Sequence, residues 1–163
     1  MINPDLPLLP SVLDRLLDDR PEVRQDPTRS RGQNLVILRD AVRRDLEALL
    51  NSRQRCVSPP PGLDELETSL IEYGVPDFLS ANAGSDEARE EFRRSIEGVI
   101  RRFEPRFKSV TVKLIKDGAQ IDRTLRFRID ALMYAEPAPE YVSFDSTLNP
   151  ASHSFSVVGR RDG

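Results

Sequence analysis

A chain of 163 residues has the length of one domain and can bury a substantial core. Its composition, 38% hydrophobic and 31% charged with no Trp, is lean but globular, and 6% aromatic points to a modest core that other chains complete. A single cysteine, Cys56, excludes an intramolecular disulfide and fits a reducing compartment. The Ser58-Pro59-Pro60-Pro61 run beside it offers no base, so Cys56 reads as an ordinary loop thiol. No apolar run reaches bilayer length and MINPDLPLLP lacks a basic n-region, so a cytoplasmic protein is expected. The net charge of −3 conceals a polarity: residues 57–92 carry −8 and residues 93–128 carry +7. That pattern is either a self-neutralising surface or two faces for different neighbours. The basic stretch holds no nucleic-acid motif and the whole chain is acidic, which argues against nucleic acid.

Residues 1–33 read as an arm with one short helix and a polar linker. Ser11 and Asp14 suggest a cap, Val12, Leu13, Leu16 and Leu17 form an apolar stripe, and Pro21 ends the element. A helix of about eight residues does not stand alone in water, so the stripe must bury against this domain or another chain. The remainder, 34–163, reads as one domain. Leu35, Leu38, Val42, Leu46 and Leu49 recur at helical spacing over 34–51, with Arg39, Arg43, Arg44 and Glu47 outward. The triple proline 59–61 marks an extended loop, and a shorter helix is expected from Leu63 to Tyr73, stopped by Gly74 and Pro76. Ser85 looks like the N-cap of a third helix, with Asp86 and Glu87 in its first turn and Ala88, Phe92, Ile96, Val99, Ile100 and Phe103 on its buried face. After Phe107 the period becomes two. Val110–Lys116 and Leu125–Ala131 read as a hairpin turned at Asp117-Gly118, followed by weaker strands at 141–145 and 154–158. Helices followed by a mainly antiparallel sheet place the chain in the α+β class.

The junction RRFEPRFKSV, residues 101–110, carries the densest chemistry. A residue before proline leaves the α region, which ends the helix near Phe103. With extended backbone beyond, Phe103, Pro105 and Phe107 would share one side and Glu104 and Arg106 the other. The pair is then a catalytic group, an internal clamp or a partner contact. Catalysis has little to build on: a guanidinium two residues away is the wrong neighbour for a general acid at Glu104, and no second carboxylate follows before Asp117. His153, the only histidine, and Cys56 do not make a metal site. No catalytic, cofactor or metal residue is assigned. If Arg106 projects, its truncation changes stability by no more than about 1 kcal/mol; an internal pair would cost several times that.

The landmarks PSVLDRLLDD, VRRDLEALLNSR, SLIEYGVPDF, RRFEPRF, VTVKLI and LRFRIDALM run in order from about residue 10 to 133. In that order they resemble the baseplate wedge family shared by contractile-tailed phages and bacterial type VI secretion systems, whose secretion members are called TssE. The resemblance implies a structural subunit with a sheet related to the strand-exchange domain of the contractile sheath. It implies a place in a baseplate docked at the inner membrane of a Gram-negative bacterium. Its implied partners are TssF- and TssG-like wedge proteins, TssB/TssC-like sheath subunits and a TssK-like adaptor. Glu104, Pro105 and Arg106 would hold the helical core of the wedge. Leu13, Leu16 and Leu17 are expected to dock on a wedge partner, the arm being mobile in the free protein. Thr111, Lys113, Arg126 and Arg128 should line the outer face of the hairpin, where a basic surface beside an open edge would take an acidic sheath arm by strand addition, or merely keep the sheet soluble. A peptidoglycan hydrolase and a free-standing adaptor are the alternatives, and the residues give the hydrolase no chemistry.

Overall fold

The computed structural model describes residues 12–16, 22, 30–55, 62–76, 85–115, 124–135, 138–149 and 152–160. Leu17, Cys56, the triple proline and the Asp117-Gly118 turn lie outside them. Among the described residues, three helices, α1 (Val12–Leu16), α2 (Arg31–Asn51) and α3 (Asp86–Phe103), precede four strands, β1 (Phe107–Ile115), β2 (Leu125–Met133), β3 (Glu140–Asn149) and β4 (Ser154–Gly159). The strands form an antiparallel meander in the order β1-β2-β3-β4. The expected α+β arrangement is therefore what the chain adopts.

Helix α2 starts at Arg31, three residues before the expected 34, because Ser30 and Gln33 form a reciprocal capping box. Gln33 N–H donates to Ser30 Oγ at 3.3 Å, and Ser30 N–H donates to Gln33 Oε1 at 2.8 Å. Helix α3 is capped by Ser85, which accepts the Ala88 N–H at 3.1 Å, with Asp86 and Glu87 near its positive end and Arg101 and Arg102 near its negative one. Both helices pack on one face of the sheet, α2 along β4 and α3 along β1. Val42, Leu46, Leu50, Phe92, Ile96 and Ile100 meet Val112, Phe127, Ile129, Phe144 and Leu148 in a single core. Phe92 stands edge-on to Phe127 with centroids 5.9 Å apart, and Phe155 completes the aromatic centre at 6.3 Å from Phe92.

The helix expected over Leu63–Tyr73 is only a 3-10 segment, Asp64–Thr68. Ser69 ends it: its Oγ donates to the Leu66 carbonyl at 2.7 Å and accepts the Ile71 N–H at 3.3 Å, drawing the backbone out of the helical path. The segment is fastened at its far end instead. Val75 N–H donates to the Ser52 carbonyl at 2.9 Å and Gln54 N–H to the Val75 carbonyl at 3.1 Å, which ties it to the end of α2.

The outer face of the sheet is less basic than its sequence suggests. Lys113 and Arg128 are cross-strand neighbours, yet each has a carboxylate: Lys113 reaches Asp130 at 2.9 Å and Arg128 reaches Asp145 at 3.0 Å. Burial would raise the pKa of Asp130, but Lys113 and the Ser143 hydroxyl outweigh it and hold the group below the ordinary carboxylate range. Glu97 on α3 is lowered in the same sense: burial opposes, while the Val112 N–H and Arg93 prevail. For both, the folded pKa lies below the unfolded one. The stability they contribute is present above the unfolded value and is lost as pH falls through the folded value. Urea midpoints should therefore drop between about pH 5 and pH 3, and Asp130→Asn should flatten that slope. An unchanged slope in the variant would contradict the pairing.

Candidate functional site

Glu104 closes α3. Its N–H donates to the Ile100 carbonyl at 2.9 Å, and its φ of −115° and ψ of 82° take the chain out of the helix. The backbone does not then run extended, as the sequence suggested. Phe107 N–H bonds back to the Glu104 carbonyl at 3.2 Å, so Glu104–Phe107 is a tight turn. The turn reverses the expected facing. Glu104 is 4% exposed and points inward, Pro105 is exposed, and Arg106 is half-buried. The charged pair does not project from the junction.

Within the turn, Arg106 clasps Glu104 with its planar fork. Arg106 Nε donates to Glu104 Oε1 at 2.6 Å and Nη2 to Oε2 at 2.5 Å, while the Arg106 backbone N–H reaches Oε1 at 3.2 Å. The same Nη2 donates to Asp45 Oδ2 on α2 at 2.8 Å. Asp45 Oδ1 accepts Arg44 Nε at 3.0 Å and Nη2 at 2.9 Å, and Arg44 Nη2 reaches Asp14 of α1 at 2.8 Å. Three carboxylates and two guanidiniums thus alternate from the turn, across α2, to the first helix. Tyr134 N–H also donates to the Arg106 carbonyl at 2.8 Å, which ties the turn to the end of β2.

The electrostatics follow the geometry. Burial would lower the pKa of Arg106, but its bonds to Glu104 and then Asp45 outweigh that and raise it, so the guanidinium is permanently charged. Arg44 is raised by its bonds to Asp14 and Asp45. Tyr73 packs edge-on to Phe103 at 5.3 Å and is raised, first by burial and then by the nearby charges of Asp45 and Glu104. In this arrangement both Glu104 oxygens accept bonds from a guanidinium that does not deprotonate. What it does chemically is fix the angle at which α3 passes into β1, against α2.

A family model described as baseplate wedge protein gp25 matches residues 36–138. The chain belongs to this baseplate wedge family. The matched span takes in α2 from Val36 onward, α3, the Glu104–Phe107 turn, β1 and β2, and so holds every group of the clamp except Asp14. Among curated proteins none matches the chain.

The other wedge residues singled out from sequence fall on two surfaces. Leu13 and Leu16 are exposed, Leu16 at 75%, while Asp14 between them is turned inward with its side chain 6% exposed. Val12, Leu13 and Leu16 are thus not buried against the described domain, and α1 is held to α2 by charge. Arg126 and Arg128 lie on the outer face of β2, as expected, with Arg128 already engaged by Asp145. Asp45, Arg44 and Asp14 were missed as members of the clamp. The signal available was an acid, Asp45, set beside two arginines on the flank of an apolar helical stripe. Among the described residues, no three or more His, Cys, Asp or Glu side chains are grouped to hold a metal ion, and no helix is long and apolar enough to cross a membrane.

Proposed function

We propose that this chain is a non-catalytic wedge subunit of a type VI secretion baseplate, joining TssF- and TssG-like proteins at the baseplate core and giving the TssB/TssC-like sheath its starting platform. The observation that carries the reading is the coincidence of the wedge-family span with the elements that meet at Glu104 and Arg106. The clamp sets a rigid corner between α3 and β1, and the partner surface is what that corner presents: exposed Pro105, the solvent side of Arg106 and the last turn of α3 at Arg101 and Arg102. Leu13, Leu16 and Leu17 of the arm supply a second contact, on a wedge partner, and Arg126 and Arg128 flank the sheet where a sheath arm adds a strand. A TssK-like adaptor completes the set, and the assembly sits at the cytoplasmic face of the inner membrane.

The test is co-expression with the TssF- and TssG-like pair. One complex should elute from size exclusion, and Leu13→Asp with Leu16→Asp should weaken it at least tenfold. Pure protein incubated with peptidoglycan should release no soluble fragments. Turnover that disappears in Glu104→Gln would overturn the reading in favour of a hydrolase.

A further inference from the structure

Both edges of the sheet are closed by helix side chains that imitate a neighbouring strand. On β4, the Asn51 amide donates to the Phe155 carbonyl at 3.0 Å and accepts the Phe155 N–H at 2.9 Å, while Arg43 reaches the Val157 carbonyl at 3.3 Å. On β1, two charged residues one turn apart on α3 divide the same task. Glu97 Oε2 accepts the Val112 N–H at 3.0 Å, Arg93 Nη1 donates to the Val112 carbonyl at 2.9 Å, and the two side chains are joined at 2.7 Å. Because Val112 turns both backbone groups away from β2, the antiparallel alternation turns those of Val110 and Leu114 to the same edge.

The two closures differ in how readily they open. Among the described residues, β4 has six residues and is held by helix side chains at two of them, while β1 has nine and is held at Val112. Arg93 has a second carboxylate, Glu90 at 2.9 Å, and Glu97 a second guanidinium, Arg101 at 3.0 Å. Each can therefore release Val112 without becoming an unpaired charge, which is the step that makes breaking a buried pair expensive. Beside Arg93, between α3 and the strand, lies a cleft of about 500 Å³ lined by Asp86, Glu90, Arg93, Val112, Lys113 and Leu114.

We propose that Arg93 and Glu97 form a latch on the β1 edge, closed in the free subunit and opened when an extended segment of a partner protein adds to β1 beside the α3 cleft. This rests on the strand-addition reading above and names the edge and its control. The incoming segment is recognised by its backbone N–H and C=O groups, since Lys113 on that strand already has Asp130. Until then the latch occupies the template that a bare edge offers to any strand.

Amide exchange resolved by NMR on the free chain tests the latch. Val112 should be protected although it lies on an edge, Glu97→Ala should speed its exchange at least tenfold, and Glu90→Ala should leave it unchanged. Glu97→Gln, which keeps an acceptor, should retain most of the protection and so separate loss of the latch from loss of the fold. Exchange at Val112 that ignores Glu97→Ala overturns the latch, whatever happens at the sheath. Exchange mass spectrometry on isolated baseplates carrying a sheath stub then tests the edge. Protection gained over Val110–Leu114 and not over 154–159 is the expected result. Gain on β4 overturns the choice of edge, and gain on neither overturns strand addition itself.

Discussion

Truncating Arg106 to alanine is expected to lower the unfolding free energy by about 3–5 kcal/mol, because it strands the Glu104 carboxylate in a site with almost no access to water. For a domain of this size that is a fall in melting temperature of roughly 6–20 °C. The loss exceeds that of an exposed ion pair because Arg106 satisfies both Glu104 oxygens and Asp45 at once. Lysine should not replace it, since one ammonium cannot match the fork that grips two carboxylates. Glu104→Gln should cost less, leaving Arg106 its bond to Asp45. A double-mutant cycle of Glu104→Ala and Arg106→Ala, followed by urea unfolding, should show strong coupling: the double variant should be far less destabilised than the sum of the singles. If Arg106→Ala stays within about 1 kcal/mol of wild type, the side chain serves a partner rather than its own fold.

Gly74→Ala should cost about 2–4 kcal/mol, a large effect for one methyl group. Gly74 has φ of +115°, where side chains are strained, and an added Cβ would lie 2.6 Å from the Ser52 carbonyl oxygen. That neighbour is backbone and cannot swing aside. Relief requires Val75, fully buried, to leave the end of α2 and give up its bonds with Ser52 and Gln54. Segment 62–76 would then loosen, carrying away Tyr73 from Phe103. Gly98, exposed on α3 with nothing within 4 Å of its missing Cβ, is the control: alanine there should stabilise by about 0.5–1 kcal/mol. Thermal melts of the two variants should move in opposite directions.

The fold was readable wherever one face of an element is apolar at the right period. Leu38, Val42, Leu46 and Leu49 on α2, and Val110, Val112, Phe127 and Ile129 on the hairpin, are all buried on the side their spacing assigns. β3 was harder. It spans Glu140–Asn149, twice the expected length, because Ser146 takes the inward place between Phe144 and Leu148 and interrupts the apolar alternation. The Leu63–Tyr73 region was misread because Leu66, Leu70 and Ile71 mimic a helical stripe while Ser69 bends the backbone and leaves Leu70 86% exposed. At the site, the sequence pairs Glu104 with Arg106 but does not say which way they face. That depends on the tight turn at Pro105, and on Asp45, brought in from 61 positions before Arg106 by the packing of α2. Arg39, Arg43 and Arg44, read as solvent-facing, instead reach the Tyr141 carbonyl, the Val157 carbonyl and Asp14.

The claim that matters most is that a contractile sheath starts on this subunit, and counting fluorescent sheath structures in living cells tests it most directly. Cells lacking the chain should form none, wild-type protein should restore them, and Arg106→Ala, which dismantles the corner between α3 and β1, should not. Sheaths of normal number and length in cells without the chain would contradict the account.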